Sequence, residues 1–266
     1  MNDNKEEERK AKARERLAKR SEIRKEVAII ETAKKTTMEQ KHRLMDGRVA
    51  IITRSGNHVY KADGGSPMPS VSSFTDYVEK GAFGAGMGYA TKLIRENGGD
   101  TTAPRRISDE TMETGSNLHQ AIDDFIRRGT MNEDPLFVSW YQKIGRKHKW
   151  LVSEQFIYHP MLKYGGTADA LSEEENGIRL WDWKTRDSQS YDKTGSPKKD
   201  HVQAAAYVEA YRAMGSEFLP TSGMICYIMR DTGMVQTVRA NIKRGWNLFR
   251  LAHQIHYEGK EFDNDE

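Results

Sequence analysis

The pattern of hydrophobic and polar positions divides the chain into a polar first segment and a folded remainder. Residues 5–40 are rich in Lys, Arg, Glu and Ala and contain few apolar residues before Val27. These residue types favour helix, and the lack of an apolar stripe indicates an exposed helix outside the core. We therefore predict a charged helical extension over residues 1–46 and a folded domain over residues 47–266.

Within the folded domain, helical and alternating patterns follow one another in a mixed order. Apolar residues at helical spacing predict helices at residues 109–128, 135–149, 203–214 and 243–257. Alternating patterns predict strands at residues 48–53, 58–62, 151–158, 224–230 and 235–240. The serines of residues 69–73 offer hydroxyls that can cap a further helix. This order indicates an α/β domain with an antiparallel-rich sheet and helices before and after it.

An acidic turn containing an Asn-Gly pair joins two further strands, and Asn-Gly is a strong hairpin signal. The register of this hairpin depends on the length of its loop. A loop over residues 174–177 places Asp169 opposite Asp182, whereas a two-residue loop at 176–177 places Asp169 opposite Lys184. The sequence leaves both registers open.

The two registers agree on which side chains share a face. Side chains alternate along a strand, so Asp169, Asp182 and Lys184 lie on one face, while Trp181 and Trp183 take the other. Cross-strand partners are only about 5 Å apart at Cβ. Two carboxylates that close repel each other, and a divalent cation between them removes the conflict. The hairpin therefore predicts a metal site with a lysine beside it.

The residue types of this hairpin suit phosphoryl chemistry. Asp169 and Asp182 offer hard oxygen ligands of the kind that Mg²⁺ and Mn²⁺ prefer, and the backbone carbonyl of Trp183 is a natural extra ligand. Lys184 can orient an attacking water or stabilise a charged transition state. A surface hairpin with an Asp–Lys pair explains the charges equally well. It does not explain why two tryptophans bury the opposite face.

Three residues on predicted helices can complete such a site. His119 can add a nitrogen ligand, although its place on an apolar stripe also suits a core histidine. Gln203 and Tyr207 are four residues apart and therefore share a helical face. Gln203 can hold Lys184 or a phosphate, and Tyr207 can stack on a base. Taken alone, this pair is also typical of ordinary helix packing.

Several short motifs between residues 58 and 215 occur together in an order that resembles a known family. They are Pro69–Ser73, Gly115–His119, Glu154, Gly166–Asp169, Asp182–Thr185 and Gln203–Tyr207. The chain resembles the PD-(D/E)XK nuclease superfamily and, within it, the RecB-like exonucleases, which include the mitochondrial genome maintenance exonuclease and many phage proteins. The resemblance implies a restriction-endonuclease-like core, with a mixed central sheet flanked by helices.

The resemblance also implies roles for individual residues. The catalytic residues are Asp169, Asp182, Lys184, Gln203 and Tyr207. The metal ligands are His119, Asp169, Asp182 and the backbone carbonyl of Trp183. We assign Thr185, Arg186 and Ser72 to substrate binding. Glu154 matches an acidic position before the hairpin, and we place it with the substrate-binding residues while its role stays open.

The function implied is that of a Mg²⁺- or Mn²⁺-dependent DNA exonuclease acting on single strands or ends. We expect it to serve replication, recombination or repair in the cytoplasm of a bacterial or phage-infected host cell. The chain lacks a helicase module, so a helicase or recombination protein is a possible partner. The alternatives are a structure-specific endonuclease of the same fold, or a non-catalytic DNA-binding or assembly module.

Composition narrows these expectations. The single cysteine, Cys226, excludes a four-cysteine iron–sulfur cluster. The sequence has no apolar run near the roughly 18 residues of a membrane span, and we expect no membrane partner. The net charge is only +3, but residues 1–48 carry about five more basic than acidic side chains. Such an arm can add salt-sensitive affinity for DNA, or it can simply be a solvated helix.

Overall fold

The computed structural model describes residues 37–56, 58–78 and 82–264. In this part of the chain the strands are β1 Thr37–Arg43, β2 Val49–Ser55, β3 Tyr60–Ala62, β4 Lys149–His159, β5 Tyr164–Glu174, β6 Gly177–Arg186, β7 Pro220–Met229 and β8 Val235–Arg239. The α-helices are α1 Ser72–Thr75, α2 Ala82–Glu96, α3 Ala103–Arg128, α4 Pro135–Lys143, α5 Ser188–Thr194, α6 Lys198–Ala213 and α7 Ile242–Asn264.

A mixed five-stranded sheet forms the centre of the fold. Its strand order is β4-β5-β6-β7-β8. Strands β6 and β7 are parallel and are connected through α5 and α6, and the other neighbours are antiparallel. Parallel neighbours need such a crossover connection, whereas antiparallel neighbours can be joined by tight loops. The predicted α/β class with a mixed central sheet is confirmed.

The β5–β6 hairpin adopts the first of the two predicted registers. Glu174 pairs with Gly177, so the loop contains only residues 175 and 176. Ladder pairing runs on to Ala170 and Trp181 and ends there. Continued by one residue, this register places the two aspartates of the hairpin across from each other, at the point where the two strands stop pairing.

The two faces of the sheet bury different side chains. Trp181 and Trp183 are both 1% exposed, as the alternation predicts, and they pack with Trp140 and with apolar residues of α3. The other face is covered by α6 and α7. Ala204 and Ala206 are the small, fully buried side chains of α6 in the core on this face, while the equally buried Ala205 lies against Gly245 of α7. Helices therefore flank the sheet on both sides.

Two consecutive glycines of β5 make room for aromatic rings. A Cβ on Gly165 would lie 2.5 Å from the Cβ and Cγ of Tyr60, and one on Gly166 would lie 2.5 Å from a ring carbon of Tyr207. Gly165 also donates its N–H to the carbonyl of Pro69. The pair thus draws three separate segments of the chain together immediately before Asp169.

The predicted N-terminal helix is wrong over its last residues. Residues 37–43 form strand β1, which pairs antiparallel with β2 along its whole length, from Thr37 opposite Ser55 to Arg43 opposite Val49. The polar composition of this segment favours helix locally, but pairing with β2 satisfies its backbone instead. The charged extension therefore does not reach residue 46 as a helix. Residues 1–36 lie outside the described residues.

Further differences from the predictions include the end of α4 and the start of α1. Helix α4 ends at Lys143 and not at residue 149, because β4 begins at Lys149 and pairs there with β5. The start of α1 has no serine cap, since its N-terminal flanking residue is Val71. The hydroxyl of Ser70 bonds the hydroxyl of Ser72 at 2.6 Å instead.

Candidate metal centre

Three side chains from three elements converge at the end of the β5–β6 pairing. They are His119 from α3, Glu154 from β4 and Asp169 from β5, and each offers a ligand atom within 4.8 Å of the other two. Nδ1 of His119 lies 3.5 Å from Oε1 of Glu154 and 3.8 Å from Oδ1 of Asp169. The resemblance implies His119 and Asp169 as ligands, and the structure brings Glu154 to the same point.

His119 is held above the sheet by close helix packing. Gly115, one turn earlier on α3, has no side chain, and a Cβ there would lie 3.3 Å from the hydroxyl of Thr185. The Nε2–H of His119 donates to the carbonyl of Trp183 at 3.2 Å. Burial lowers the pKa of His119, but the carboxylates of Asp169 and Glu154 outweigh it and raise that pKa to about 9. Both ring nitrogens therefore carry protons at neutral pH.

Asp169 is fixed by a backbone group that the sheet leaves unpaired. Its Oδ2 accepts the N–H of Trp183 at 2.7 Å, beyond the last ladder pair of β5 and β6. Its Oδ1 faces His119. Burial raises the pKa of Asp169, and the neighbouring His119 opposes this shift. The side chain is only 10% exposed, so its ionised form depends on nearby positive charge.

Glu154 enters the cluster through an irregular backbone. Its φ is +47°, a left-handed conformation that is uncommon for residues other than glycine. The residues on either side of it, Ser153 and Gln155, pair with β5, but Glu154 does not. The sequence gives no local signal for this conformation, which explains why the ligand-like position of Glu154 is not evident from the motifs.

A buried ion pair lies beside the cluster. Lys184 Nζ is 2.7 Å from Oδ2 of Asp182, whose side chain is 1% exposed. Burial raises the pKa of Asp182, Lys184 opposes this, and the carboxylates of Asp169 and Asp200 add to it. Oδ1 of Asp182 is buried and has no hydrogen-bond partner among the described residues. Neither oxygen of Asp182 lies within 4.8 Å of all three ligand atoms of His119, Glu154 and Asp169.

These residues fit a hard divalent cation. The carboxylate oxygens match the preferences of Mg²⁺ and Mn²⁺, and Mg²⁺ usually keeps several waters beside one or two carboxylates. Oδ1 of Asp182 is buried without a partner among the described residues, and burial disfavours the charged forms of both aspartates and so raises their pKa values. A cation at this point would satisfy both conditions.

The other predicted catalytic residues come from α6. Gln203 Nε2 donates to the hydroxyl of Tyr207 at 2.7 Å. Burial raises the pKa of Tyr207, and the charges of Asp182 and Asp169 contribute, which places the phenol beside the aspartates. The amide of Gln203 thus orients Tyr207, and the structure shows no direct bond from it to Lys184.

The predicted substrate-binding residues have different surroundings. Arg186 pairs with the buried Asp200 at 3.5 Å and lies over the ring of Tyr227. Thr185 packs against α3 beside Gly115. Ser72 is exposed at the start of α1 and bonds Ser70. Arg186 and Thr185 therefore lie on the same strand as Lys184, whereas no hydrogen bond or ion pair joins Ser72 to the described residues of the cluster.

Comparison with known proteins agrees with this geometry. Residues 136–264 match the family model of the PD-(D/E)XK nuclease superfamily. This stretch includes β4 to β8 and hence Glu154, Asp169, Asp182 and Lys184, while His119 precedes it. Over these residues the chain is similar to the PD-(D/E)XK nuclease superfamily.

Two further comparisons add little to this assignment. A search of curated proteins finds no match. A solved structure titled "Crystal structure of SSO0001" is 17% identical, covers 62% of this chain and 68% of its own, and has a TM-score of 0.33. That likeness is too loose to support a statement about activity.

Among the helices of the described residues, none is long and apolar enough to cross a membrane.

Proposed function

We propose that this chain is a Mg²⁺- or Mn²⁺-dependent DNA exonuclease of the RecB-like group that hydrolyses phosphodiester bonds in single strands or at DNA ends. The observation that carries the proposal is the convergence of His119, Glu154 and Asp169 beside the buried pair of Asp182 and Lys184. All but His119 lie within the segment that matches the nuclease superfamily.

The metal would be held by His119, Glu154 and Asp169, with Asp182 and the carbonyl of Trp183 as further oxygen donors. When bound, such an ion polarises a phosphoryl oxygen and makes water a better nucleophile at neutral pH. Ligation requires a neutral imidazole, so His119 would give up the proton of Nδ1, the nitrogen that faces the carboxylates, and would keep its Nε2–H bond to the Trp183 carbonyl. The second lone pair of that carbonyl would be available to a ligand position beside the imidazole.

Lys184 supplies the positive charge for the reaction. Its side chain is 24% exposed, so the ammonium can reach a bound phosphate while Asp182 keeps it in place. Negative charge that builds on the phosphoryl oxygens is stabilised by such a fixed donor in a largely buried site. Tyr207, oriented by Gln203, offers a neutral hydroxyl on the same side, because burial holds the pKa of its phenol above the ordinary value.

Arg186 and Thr185 continue the strand beyond Lys184 and would follow the DNA backbone. Arg186 keeps an ion pair with Asp200, so its guanidinium is oriented before a phosphate arrives. We assign the protein to phage or bacterial DNA replication, recombination or repair in the cytoplasm. We also expect it to depend on a helicase or recombination partner wherever long duplexes are degraded.

The direct experiment uses linear single- and double-stranded DNA labelled at each end in turn. Wild-type protein should degrade DNA in Mg²⁺ or Mn²⁺ and stop on addition of EDTA, and the end that loses label first gives the polarity. Asp182→Ala should be inactive. Equal degradation by wild type and Asp182→Ala would overturn the proposal.

A closed circular single strand separates the exonuclease from its alternatives. An exonuclease leaves the circle intact and digests it after a single nick. Cleavage of the closed circle would instead favour a structure-specific endonuclease at the same site. DNA binding without cleavage in any divalent metal would favour a non-catalytic module.

A further inference from the structure

The backbone of Glu154 is held in a conformation that the sheet itself does not support. A left-handed φ of +47° is strained for a residue with a side chain, and such strain persists only where the surroundings hold it. Glu154 also lacks the ladder pairing that its neighbours Ser153 and Gln155 make with β5. Other bonds must therefore hold this segment in place.

Those bonds come from Gln40 on β1. Its Nε2 donates to the carbonyl of Glu154, and its Oε1 accepts the N–H of Phe156, both at 2.7 Å. One amide side chain thus serves as donor to the carbonyl of the irregular residue and as acceptor for the N–H two residues later. Strands β1, β2 and β3 form a separate, small N-terminal sheet in that order, and Gln40 is anchored in it through its pairing with Ile52.

A second side chain holds the residue before Glu154. Arg127 on α3 donates from Nη2 to the carbonyl of Ser153 at 2.6 Å and pairs through Nε with Asp123. His119 lies two turns earlier on the same helix. Glu154 is therefore fixed from one side by the helix that carries His119 and from the other side by β1.

We propose that Gln40 is a positioning residue for the metal centre, acting through Glu154. Gln40 fixes the backbone on the C-terminal side of the left-handed residue, while Arg127 holds the carbonyl before it, and Gln40 thereby directs the Glu154 carboxylate toward His119 and Asp169. The small N-terminal sheet is thereby part of the site, although it lies outside the segment that matches the superfamily. This inference rests on the proposed function, because it assumes that the cluster binds a divalent metal.

Loss of the amide has a specific consequence. Without Gln40, the carbonyl of Glu154 and the N–H of Phe156 lose their partners in a partly buried region. Buried backbone N–H and C=O groups are almost always hydrogen-bonded, so these two groups would form bonds to other partners. The segment can recover them by returning to an extended φ, which turns the Cα–Cβ bond of Glu154 away from its present direction. The ligand would then be present but misdirected.

The test measures Mn²⁺ affinity by calorimetry on the full chain after metal removal. Loss of an outer-shell partner typically weakens metal binding by about 10- to 100-fold, and we expect a loss in that range for Gln40→Ala. Glu154→Gln should also weaken binding. In the Glu154→Gln background, Gln40→Ala should cause no further loss, because Gln40 acts only through that carboxylate. Lys41→Ala, an exposed change on the same strand, is the control and should bind like wild type.

Gln40→Glu keeps the acceptor for Phe156 and loses the donor to Glu154, so its affinity should fall between those of wild type and Gln40→Ala. This variant also serves as the test if Gln40→Ala does not fold. The inference would be overturned if Gln40→Ala lowered the Mn²⁺ affinity equally in the wild-type and Glu154→Gln backgrounds. It would also be overturned if Gln40→Ala left the Mn²⁺ affinity unchanged while Glu154→Gln bound Mn²⁺ poorly. In the second case the proposed function would still stand. Unchanged Mn²⁺ binding in Asp169→Asn would instead reject the metal site itself.

Discussion

Oδ2 of Asp169 accepts the backbone N–H of Trp183 at 2.7 Å, where the pairing of β5 and β6 has ended. A side chain thus replaces the missing strand partner at the centre of the candidate site. The same bond fixes the carboxylate, so that its other oxygen faces His119. The end of one strand pair therefore both satisfies the backbone of β6 and orients a proposed metal ligand.

This double role predicts that two substitutions of Asp169 will differ in stability. Asparagine keeps an acceptor for the Trp183 N–H and removes a charge whose burial raises its pKa, so Asp169→Asn should be at least as stable as wild type at pH 8 without metal. Asp169→Ala leaves that N–H unpaired, at a cost of about 1–3 kcal/mol. Urea unfolding in EDTA measures the free energy of unfolding of both variants and of wild type. Equal stability of the two variants would contradict the role of the bond.

Lys184 is expected to act in the chemical step. Lys184→Met keeps the length of the side chain and removes its charge, and loss of one such stabilising group typically lowers kcat by about 10²- to 10³-fold. Single-turnover cleavage of labelled DNA at saturating metal measures the effect. The control is Lys243→Met, an exposed change at the start of α7. A similar small effect in both variants would show that Lys184 has no such role.

Gly166 should tolerate no side chain. A Cβ there would lie 2.5 Å from a ring carbon of the buried Tyr207, which must then move away from the aspartates. Overpacking of this kind costs about 1–3 kcal/mol. Gly88→Ala is the matched control, because a Cβ at this exposed position of α2 meets nothing within 4 Å. Alanine there should stabilise by up to about 1 kcal/mol. A destabilised Gly88→Ala or a neutral Gly166→Ala in urea unfolding would contradict this packing.

His159 should make stability depend on pH away from the metal centre. Burial lowers its pKa to about 4, and its Nδ1 accepts the N–H of Leu162 at 3.1 Å. The unfolded chain binds this proton near pH 6.5 and the folded chain near pH 4, so the free energy of unfolding falls as the pH drops through that window. His159→Asn keeps an acceptor and does not titrate. The stability of His159→Asn relative to wild type should therefore rise as the pH falls from 6.5 to 4. A difference in the free energy of unfolding that stays constant over this range would contradict the lowered pKa of His159.

Strand alternation was sufficient to predict the part of the site that lies on regular strands. The Asn-Gly turn and the alternation of Asp182 with Trp181 and Trp183 are local features, so the shared face of the aspartates and the burial of the tryptophans follow from the sequence. The choice between the two registers does not follow from the sequence, because it depends on how tightly residues 175 and 176 close the loop.

The remaining features depend on partners far away in the sequence. Strand β1 reads locally as a polar helix, and its backbone partners on β2 only appear in the folded chain. Glu154 reaches the cluster through a left-handed backbone that Gln40 supports from 114 residues away. Periodicity reports neither kind of contact. The family resemblance reached Glu154 only as an acidic position with an open role.

The central claim is that a divalent metal at the His119–Glu154–Asp169 cluster, next to Asp182, drives DNA cleavage. The most direct measurement is the rate of nucleotide release from linear single-stranded DNA during a Mg²⁺ titration of wild type, Asp182→Asn and Asp192→Asn. Asp192 is exposed on α5 and serves as the charge-matched control. We expect saturable, EDTA-sensitive release by wild type and Asp192→Asn, with Asp182→Asn slower by at least about 10²-fold even at high Mg²⁺. Release that persists in EDTA, or equal rates for all three proteins, would contradict the claim.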